Sequence, residues 1–346
     1  MMECGNRDRE ALRHEGKEET LKAAYTLGRE TLKAAYTQGR ERLRQAGVPE
    51  ADLDAWYLLE YVTGISRASY LMEPDREMTE RQSSRYEECI SKREQRVPLQ
   101  HITGEQEFMG LTFRVDENVL IPRQDTEILV EQALEILKKG QLPRSGGGKL
   151  HILDLCTGSG CILLSVLHYA DKCDTGRYNA GQCGPGMHDP EKHDAEDPAD
   201  MPGDIEGTGA DISEKALSIA GQNADALGIR AEFIRGDLFE NIRGQYGMIL
   251  SNPPYIRSAE IDALQEEVRL HDPREALDGR EDGLYFYRRI TDEAREHLLP
   301  GGWLIFEIGY DQAEDVSGLM RSAGYTEVRV KKDLAGLDRV VYGRYS

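Results

Sequence analysis

The sequence predicts an α/β fold, in which a mostly parallel sheet follows a helical N-terminal segment. After residue 148, short apolar segments alternate with helical stretches at 160–169, 213–227, 283–298 and 311–322. The apolar segments are "KLHILDL", "AEFIRGD", "YGMILSN" and "GGWLIFEIG". Such alternation predicts a parallel sheet with helices on both faces. The last two strands, "TEVRVKKD" and "DRVVYGRYS", are too close in sequence for a crossover, so this end of the sheet is predicted to be antiparallel.

Residues 1–97 are predicted to form a helical domain. Within it, "TLKAAYTLGRE" is followed at once by "TLKAAYTQGRE", over residues 20–41. The period of 11 residues is close to three helical turns, so both copies place Leu, Ala and Tyr on nearly the same face. We interpret the repeat as a local duplication that lengthens one helix. The helical pattern continues to Val97, and Pro98 is a stop signal.

Residues 98–122 are predicted to be a linker built around a hairpin, because "GEQEFMGLTFRVD" alternates and has Gly110 at its bend. The remaining domain, residues 123–346, begins with a helix that Asp125 or Thr126 is expected to cap. Its predicted apolar face contains Ile128, Leu129, Ala133, Leu134 and Leu137.

An acidic stretch at residues 171–207, rich in Gly and Pro, interrupts this domain and is predicted to be a disordered insertion. Its potential metal ligands have spacings that match no common zinc pattern, so a solvated loop is favoured over a metal site. They are Cys173, Cys183, His188 and His193.

Composition limits the partners of this 346-residue chain. Its net charge of −20 argues against affinity that depends on neutralising many phosphates and favours a small-molecule or protein substrate. The six cysteines follow no framework spacing, which favours free thiols in a reducing cytoplasm. No apolar run is long enough for a membrane helix, and residues 1–19 do not resemble a secretory signal.

A first candidate site lies in "ILDLCTGSGCILL", a strand, a turn and a helix start. Ligands of open α/β sheets bind at the carboxyl ends of strands. Gly158 and Gly160 allow a ligand to approach the backbone closely, whereas Cys156 stands where a third glycine is expected. The candidate cofactor-binding turn is therefore Cys156, Thr157, Gly158, Ser159 and Gly160.

Two further strand ends carry carboxylates. Asp211 in "GADIS" is suited to accept from both hydroxyls of a ribose, and Asp237 in "RGDLFE" from the amino group of adenine. Leu238 and Phe239 would then pack near the base. Since the phosphate-binding pattern GxxxxGK[ST] is missing from the sequence, a nucleoside without a triphosphate is favoured.

The fourth strand end reads "SNPPYI". The Asn252 side-chain oxygen and the Pro253 carbonyl are two acceptors that can bind the two hydrogens of a planar –NH₂ group, because the prolines restrict the backbone. Tyr255 can cover that flat group. We therefore predict Asn252, Pro253, Pro254 and Tyr255 as the catalytic segment, and Asn252 also as a cofactor-binding residue.

These motifs resemble those of class I S-adenosylmethionine-dependent methyltransferases that act on amino nitrogens. "PLQHITGEQEFMGLTFRVDENVLIPRQDTEILVE" and "ALDGREDGLYFYRRI" narrow the resemblance to the peptide chain release factor glutamine N5-methyltransferase family, also called PrmC or HemK. The resemblance implies a Rossmann-like seven-stranded methyltransferase domain, a linking hairpin and an N-terminal helical bundle that docks the substrate. It also implies S-adenosylmethionine as cofactor, with S-adenosylhomocysteine as product.

The family's substrate is the glutamine of the Gly-Gly-Gln tripeptide in bacterial class 1 release factors. The resemblance implies that Thr157, Gly158 and Gly160 line the methionine part of the cofactor. Asp211 would hold the ribose, Asp237 and Leu238 would border adenine, and Asn252 to Tyr255 would bind the glutamine. A cytoplasmic monomer without stably bound nucleic acid is expected.

Two residues depart from the family pattern: Cys156 replaces its usual first glycine, and Leu238 stands where some members carry an aromatic residue. Two other functions remain open at this point. An amino-methyltransferase acting on adenine or guanine of nucleic acid would also grip a planar –NH₂ group. A cofactor-binding scaffold with a decayed site is the non-enzymatic alternative.

Overall fold

The computed structural model describes residues 30–140, 142–145, 148–174 and 205–346. The chain divides into two compact units between Thr103 and Gly104. Residues 20–29 of the first copy of the repeat and the centre of the predicted insertion, with Cys183, His188 and His193, lie outside the described residues. The domain boundaries drawn from the sequence remain predictions.

The first unit consists of helices. They are α1 (Leu32–Gln45), α2 (Ala51–Thr63), α3 (Arg67–Met72), α4 (Glu80–Glu94) and α5 (Leu99–Thr103). The second copy of the repeat supplies the start of α1, whose N-cap Thr31 accepts a hydrogen bond from the Ala34 N–H. The buried face of α1 meets that of α2 and α4 in one hydrophobic cluster.

The second unit begins with the predicted hairpin, which is confirmed: β1 (Glu105–Phe108) pairs antiparallel with β2 (Leu111–Arg114). Met109 and Gly110 form its two-residue bend, with φ of 53° and 71°. Positive φ at both central residues is the requirement of a type I′ turn.

Helix α6 (Glu127–Lys138) follows a 3₁₀ turn at Gln124–Thr126. The predicted cap is wrong in its chemistry, because Thr126 has helical backbone angles and its side chain caps no N–H group. The residue is buried, and its hydroxyl interacts with Glu307 instead. Asp125 also accepts no capping bond and pairs with Arg339 at 3.0 Å.

The seven-stranded sheet predicted from the family resemblance is confirmed, with strand order β5-β4-β3-β6-β7-β9-β8. Its parallel strands are β3 (Leu150–Leu155), β4 (Ile205–Asp211), β5 (Glu232–Arg235), β6 (Tyr246–Ser251) and β7 (Leu298–Glu307). The predicted antiparallel end is formed by β9 (Asp338–Arg344) and β8 (Thr326–Lys332).

Alternate residues of the central strands enter two separate cores. Ile152 and Leu250 belong to the cluster that contains α6 and α7 (Cys161–Asp174), whereas Leu153 and Ile249 belong to the opposite cluster. The latter contains α11 (Tyr285–His297) and α12 (Ala313–Ser322). Helices α8 (Glu214–Leu227), α9 (Glu266–His271) and α10 (Arg274–Leu277) complete the unit. This two-faced burial is what a parallel sheet requires.

The predicted insertion is shorter than 171–207. Residues 171–174 continue α7, and residues 205–207 form the start of β4. Ile205 is aligned with Leu150 of β3, so pairing with a neighbouring strand extends β4 into a sequence without an apolar pattern. Among the described residues, no helix is both long and apolar enough to cross a membrane, and no cluster has metal-ligand composition.

Candidate active site

A cavity of about 630 Å³ lies at the carboxyl ends of the parallel strands, a size typical of ligand pockets. Most of the residues predicted from the sequence line it: Cys156, Thr157, Gly158, Ser159, Asp211, Asp237, Leu238, Asn252 and Pro254. Gly160, Pro253 and Tyr255 are not among its lining residues. The fold therefore brings four separate strand ends to one cavity.

The turn after β3 depends on left-handed backbone at Cys156, Gly158 and Gly160, with φ of 58°, 55° and 79°. At Gly160 a Cβ would lie 3.2 Å from the Cβ of Ala220, so the glycine serves the close packing of α7 against α8. At Cys156 the same backbone region is adopted by a residue with a side chain, which costs roughly 1 kcal/mol. The departure noted in the sequence is thus a point of backbone strain.

Asp154, at the base of this turn, is a fully buried carboxyl group. Its Oδ2 accepts a hydrogen bond from the Thr157 hydroxyl at 2.6 Å, whereas its Oδ1 has no partner among the described residues. Burial raises the pKa of Asp154 to about 7, against the lowering effect of the Thr157 hydroxyl. Asp154 therefore anchors the turn and titrates near neutral pH.

Asp211 holds the same turn from the neighbouring strand. Its Oδ2 accepts from the Gly158 N–H at 2.9 Å, and its Oδ1 from the Ser213 N–H at 2.9 Å. Burial raises the pKa of Asp211, and the two backbone N–H groups oppose that shift. Each carboxylate oxygen still has a further acceptor position, so the predicted contact with a ribose stays compatible with this geometry.

Asp237 lines the cavity but is already engaged. The Nη1 atom of Arg289, on α11, lies 2.9 Å from both of its carboxylate oxygens. Adenine would therefore share Asp237 with a guanidinium group that the sequence analysis did not select. The signal was available, because Arg289 lies in the "ALDGREDGLYFYRRI" block. The adjacent Leu238 has a φ of 54° and is buried.

The segment after β6 is held in place by two other blocks of the sequence. The Ile256 N–H donates to the Leu277 carbonyl at 3.0 Å, and the Gly279 N–H to the Ile256 carbonyl at 2.8 Å. The Gln312 amide donates to the carbonyl of Tyr255 at 3.1 Å. Through these bonds, residues 277–279 and Gln312 support the segment that follows β6.

Pro253 is buried, and Tyr255 packs against the second hydrophobic cluster. Burial raises the pKa of the Tyr255 hydroxyl, which therefore stays neutral. The predicted role of Tyr255 as a cover for the substrate remains a prediction.

Glu307, the last residue of β7, is a second buried carboxyl group, and the sequence analysis missed it. It is 2% exposed, and burial raises its pKa to about 7. The Thr126 hydroxyl, the charge of Arg339 and, least, the Asn252 amide lower that pKa, yet Oε2 has no hydrogen-bond partner among the described residues. The sequence offered one indication of this site: an acidic residue at the end of the apolar strand "WLIFEIG".

Arg123 was also missed as a site residue, although it lies within the block "PLQHITGEQEFMGLTFRVDENVLIPRQDTEILVE". It lines the cavity, and its Nη2 donates to Oδ2 of Asp272 at 2.9 Å. The side chain of Asp272 is fully buried, and burial raises its pKa to about 6 despite the opposing charge of Arg123. The pair gives this wall of the cavity a cationic group next to the strand ends.

Sequence comparisons identify relatives of both units. The profile described as PrmC N-terminal domain matches residues 34–104, and that of the methyltransferase small domain matches residues 199–278. A release factor glutamine methyltransferase of Caulobacter vibrioides is 37% identical over 303 residues, which are 87% of this chain and 91% of the relative. One of Rhodospirillum rubrum is 38% identical over 331 residues, which are 95% and 88% of the two chains.

A solved structure with related sequence is the release factor-specific protein-(glutamine-N5) methyltransferase of Alicyclobacillus acidocaldarius. It is 26% identical, and the match covers 68% of this chain and 99% of that chain. The TM-score is 0.35, so this superposition supports no further conclusion.

Proposed function

Since this chain belongs to the release factor glutamine methyltransferase family, we propose that it methylates the side-chain amide nitrogen, N5, of the Gly-Gly-Gln glutamine in bacterial class 1 release factors. The methyl donor is S-adenosylmethionine. The observation that carries this proposal is the position of Asn252, at the end of β6 and in the same cavity as the turn Cys156–Ser159.

The cavity fits the cofactor in size and in chemistry. A volume of about 630 Å³ is sufficient for a nucleoside with an amino-acid tail. Asp211 and Asp237 supply acceptors for hydroxyl and amino groups on one wall, and the Gly158 backbone allows close approach on another. We assign Cys156–Gly160, Asp211, Asp237 and Leu238 to cofactor binding, with Gly160 acting through the packing of α7.

The Asn252 side-chain oxygen and the Pro253 carbonyl orient the glutamine amide. An amide nitrogen is a poor nucleophile because its lone pair is delocalised into the carbonyl group. Acceptors on both of its hydrogens keep it oriented and raise the electron density on nitrogen as it attacks. Pro253 and Pro254 keep those acceptors rigid, and the Gln312 bond to the Tyr255 carbonyl holds the end of the segment.

When bound, the sulfonium cofactor supplies an electrophilic methyl group. The methyl carbon would pass to the amide nitrogen, the electron pair of the carbon–sulfur bond would stay on sulfur, and the amide proton would leave to water. The protein's contribution is positioning. Release factors are cytoplasmic proteins of translation, so we also propose a cytoplasmic location.

The test is incubation of the purified protein with methyl-labelled S-adenosylmethionine and either a class 1 release factor or DNA and RNA. We expect label on the release factor, with mass spectrometry locating one added methyl group on the Gly-Gly-Gln glutamine. Label on nucleic acid alone would support the amino-methyltransferase alternative. Cofactor binding without transfer to either substrate would support a decayed scaffold.

A further inference from the structure

Glu307 and Asn252 meet at the ends of two neighbouring strands. Ser251 of β6 is aligned with Phe306 of β7. Asn252, which follows β6, and Glu307, the last residue of β7, are therefore neighbours at this edge of the sheet. The Asn252 amide lies close enough to the buried Glu307 carboxyl group to lower its pKa, as do the Thr126 hydroxyl and the charge of Arg339. Thr126 also lines the cavity.

The Asn252 side chain has two orientations of nearly the same shape, which exchange its oxygen and its NH₂ group. A carboxylate can only accept hydrogen bonds, so it selects the orientation in which the NH₂ group faces it. The oxygen of Asn252 then points to the other side, as the amide of a substrate requires. The opposite orientation would bring two acceptors together in a buried place, which is costly.

We propose that Glu307 is a positioning residue for methyl transfer: its carboxylate turns the Asn252 oxygen toward the substrate amide, and the Thr126 hydroxyl holds that carboxylate. This inference rests on the function proposed above. It assigns a purpose to a buried acid for which no ion pair is found among the described residues; the charge of Arg339, which pairs with Asp125 and Asp333, also lowers the pKa of Glu307.

Protonation of Glu307 reverses the selection. A carboxylic acid can donate to the Asn252 oxygen, which favours the flipped amide and removes the acceptor from the substrate. With the pKa of Glu307 raised to about 7, the carboxylate form is lost as pH falls through neutrality. Turnover should therefore fall on the acidic side of pH 7.

The other groups that face Glu307 do not titrate in the same way. The Tyr255 and Tyr287 hydroxyls and the Cys161 thiol have pKa values raised by burial, so they stay neutral on both sides of pH 7. Arg339 stays charged. Asp125 interacts from the same side as Arg339. Asp154, with a pKa of about 7, and Asp272, with a pKa of about 6, are alternative sources of a fall in kcat at low pH (the acidic limb) and must be separated experimentally.

The experiment measures kcat from pH 6 to pH 9 at saturating S-adenosylmethionine and release factor, for wild type and Glu307→Gln. The wild type should lose activity as pH falls below about 7. Glutamine keeps the shape but can both donate and accept, so the variant should be roughly 10-fold slower at pH 8 and show no acidic limb. Its dissociation constant for S-adenosylmethionine should stay within about twofold, since Glu307 does not line the cavity.

A matched pair tests the support of the carboxylate. Thr126→Val removes the hydroxyl at constant shape, which raises the pKa of Glu307 and moves the acidic limb to higher pH. Thr126→Ser keeps the hydroxyl and should leave the limb in place. The pair is informative even if Glu307→Gln fails to fold.

Three results would decide against the inference. If the wild type methylates the release factor and Glu307→Gln keeps both the wild-type kcat and the acidic limb, Glu307 is not the source of that limb. An unmoved limb in Thr126→Val would likewise reject the role of Glu307. A wild type that transfers no methyl group to the release factor would reject the proposed function itself, which is a distinguishable failure.

Discussion

Two corners of the cavity hold their polar groups in different ways. At the ends of β3 and β4, the carboxylate of Asp211 accepts hydrogen bonds from the backbone N–H groups of Gly158 and Ser213. At the ends of β6 and β7, the Asn252 amide and the Thr126 hydroxyl both lie close enough to the Glu307 carboxyl group to lower its pKa. Both corners contain a buried carboxyl group with a pKa of about 7, Asp154 in the first and Glu307 in the second.

The two corners differ in whether their hydrogen-bond donors and acceptors can exchange roles when a proton is added. Backbone N–H groups cannot change from donor to acceptor, so the two bonds that Asp211 accepts in the first corner keep one direction. An amide and a carboxyl group can exchange roles when a proton is added, so the second corner has two arrangements. We therefore expect changes in the first corner to affect cofactor binding and stability, and changes in the second to affect turnover.

The largest expected effect comes from removal of the substrate acceptor itself. Asn252→Ala should lower kcat by about 100- to 1,000-fold, equivalent to roughly 3 kcal/mol of barrier, by analogy with preorganised donors in other enzymes. Its affinity for S-adenosylmethionine, measured by calorimetry, should remain near that of the wild type. Turnover of the variant at the wild-type rate would show that the role assigned to Asn252 is wrong.

Asp154→Asn should change the pH dependence of stability. A raised pKa means that the folded protein retains this proton while the unfolded chain releases it, so the stabilisation is complete below about pH 4 and lost as pH rises through about 7. Between pH 5 and pH 7 the wild type should lose about 2 kcal/mol more unfolding free energy than the variant.

Urea unfolding at several pH values measures this difference. The acidic limb of kcat should persist in Asp154→Asn, because that limb is assigned to Glu307. Equal pH slopes for the two proteins would mean that the pKa of Asp154 is not raised. Loss of the kcat limb in Asp154→Asn would assign that limb to Asp154 and contradict its assignment to Glu307.

Asp211→Asn should weaken cofactor binding. Asparagine has one side-chain oxygen, so either the Gly158 or the Ser213 N–H loses its partner, and the turn loses part of its order. We expect the dissociation constant for S-adenosylmethionine to rise about 10-fold, with kcat at saturation changed by about twofold or less. The exposed Asp225→Asn, which removes the same charge from α8 outside the cavity lining, is the matched control and should bind normally.

The smallest expected effect concerns the backbone strain at Cys156. Cys156→Gly and Cys156→Ala both remove the sulfur, but only glycine adopts a φ of 58° without a Cβ penalty. The glycine variant should therefore be more stable than the alanine variant by about 1 kcal/mol. Thermal unfolding of both variants measures the difference, and a more stable alanine variant would show that the turn is not strained here.

Some elements followed directly from local pattern. The alternation after residue 148, the bend at Gly110 and the antiparallel last pair were readable because apolar period and turn chemistry act over a few residues. The predicted limits of the insertion, 171 and 207, were wrong because local pattern does not show pairing with a distant strand. Residues 205–207 carry no apolar pattern and become part of β4 because β3 lies beside them.

The candidate site shows the same division. Cys156–Ser159, Asp211, Asp237 and Asn252 were selected because each follows a strand, and parallel strands end at one edge of a sheet. Arg289 and Glu307 were missed, since their partners Asp237 and Asn252 are far away in sequence. Thr126 was read as a cap because local sequence does not show which way a hydroxyl will face.

The sequence by itself determined the strand and turn chemistry of this protein: where acceptors follow strands, where glycine permits close approach, and where proline restricts the backbone. Only the tertiary structure decided which polar groups share a buried environment. That environment depends on contacts between distant strands, and it alone raises the pKa of Asp154 and Glu307 toward neutrality, because desolvation is a property of the packed core and not of any short segment.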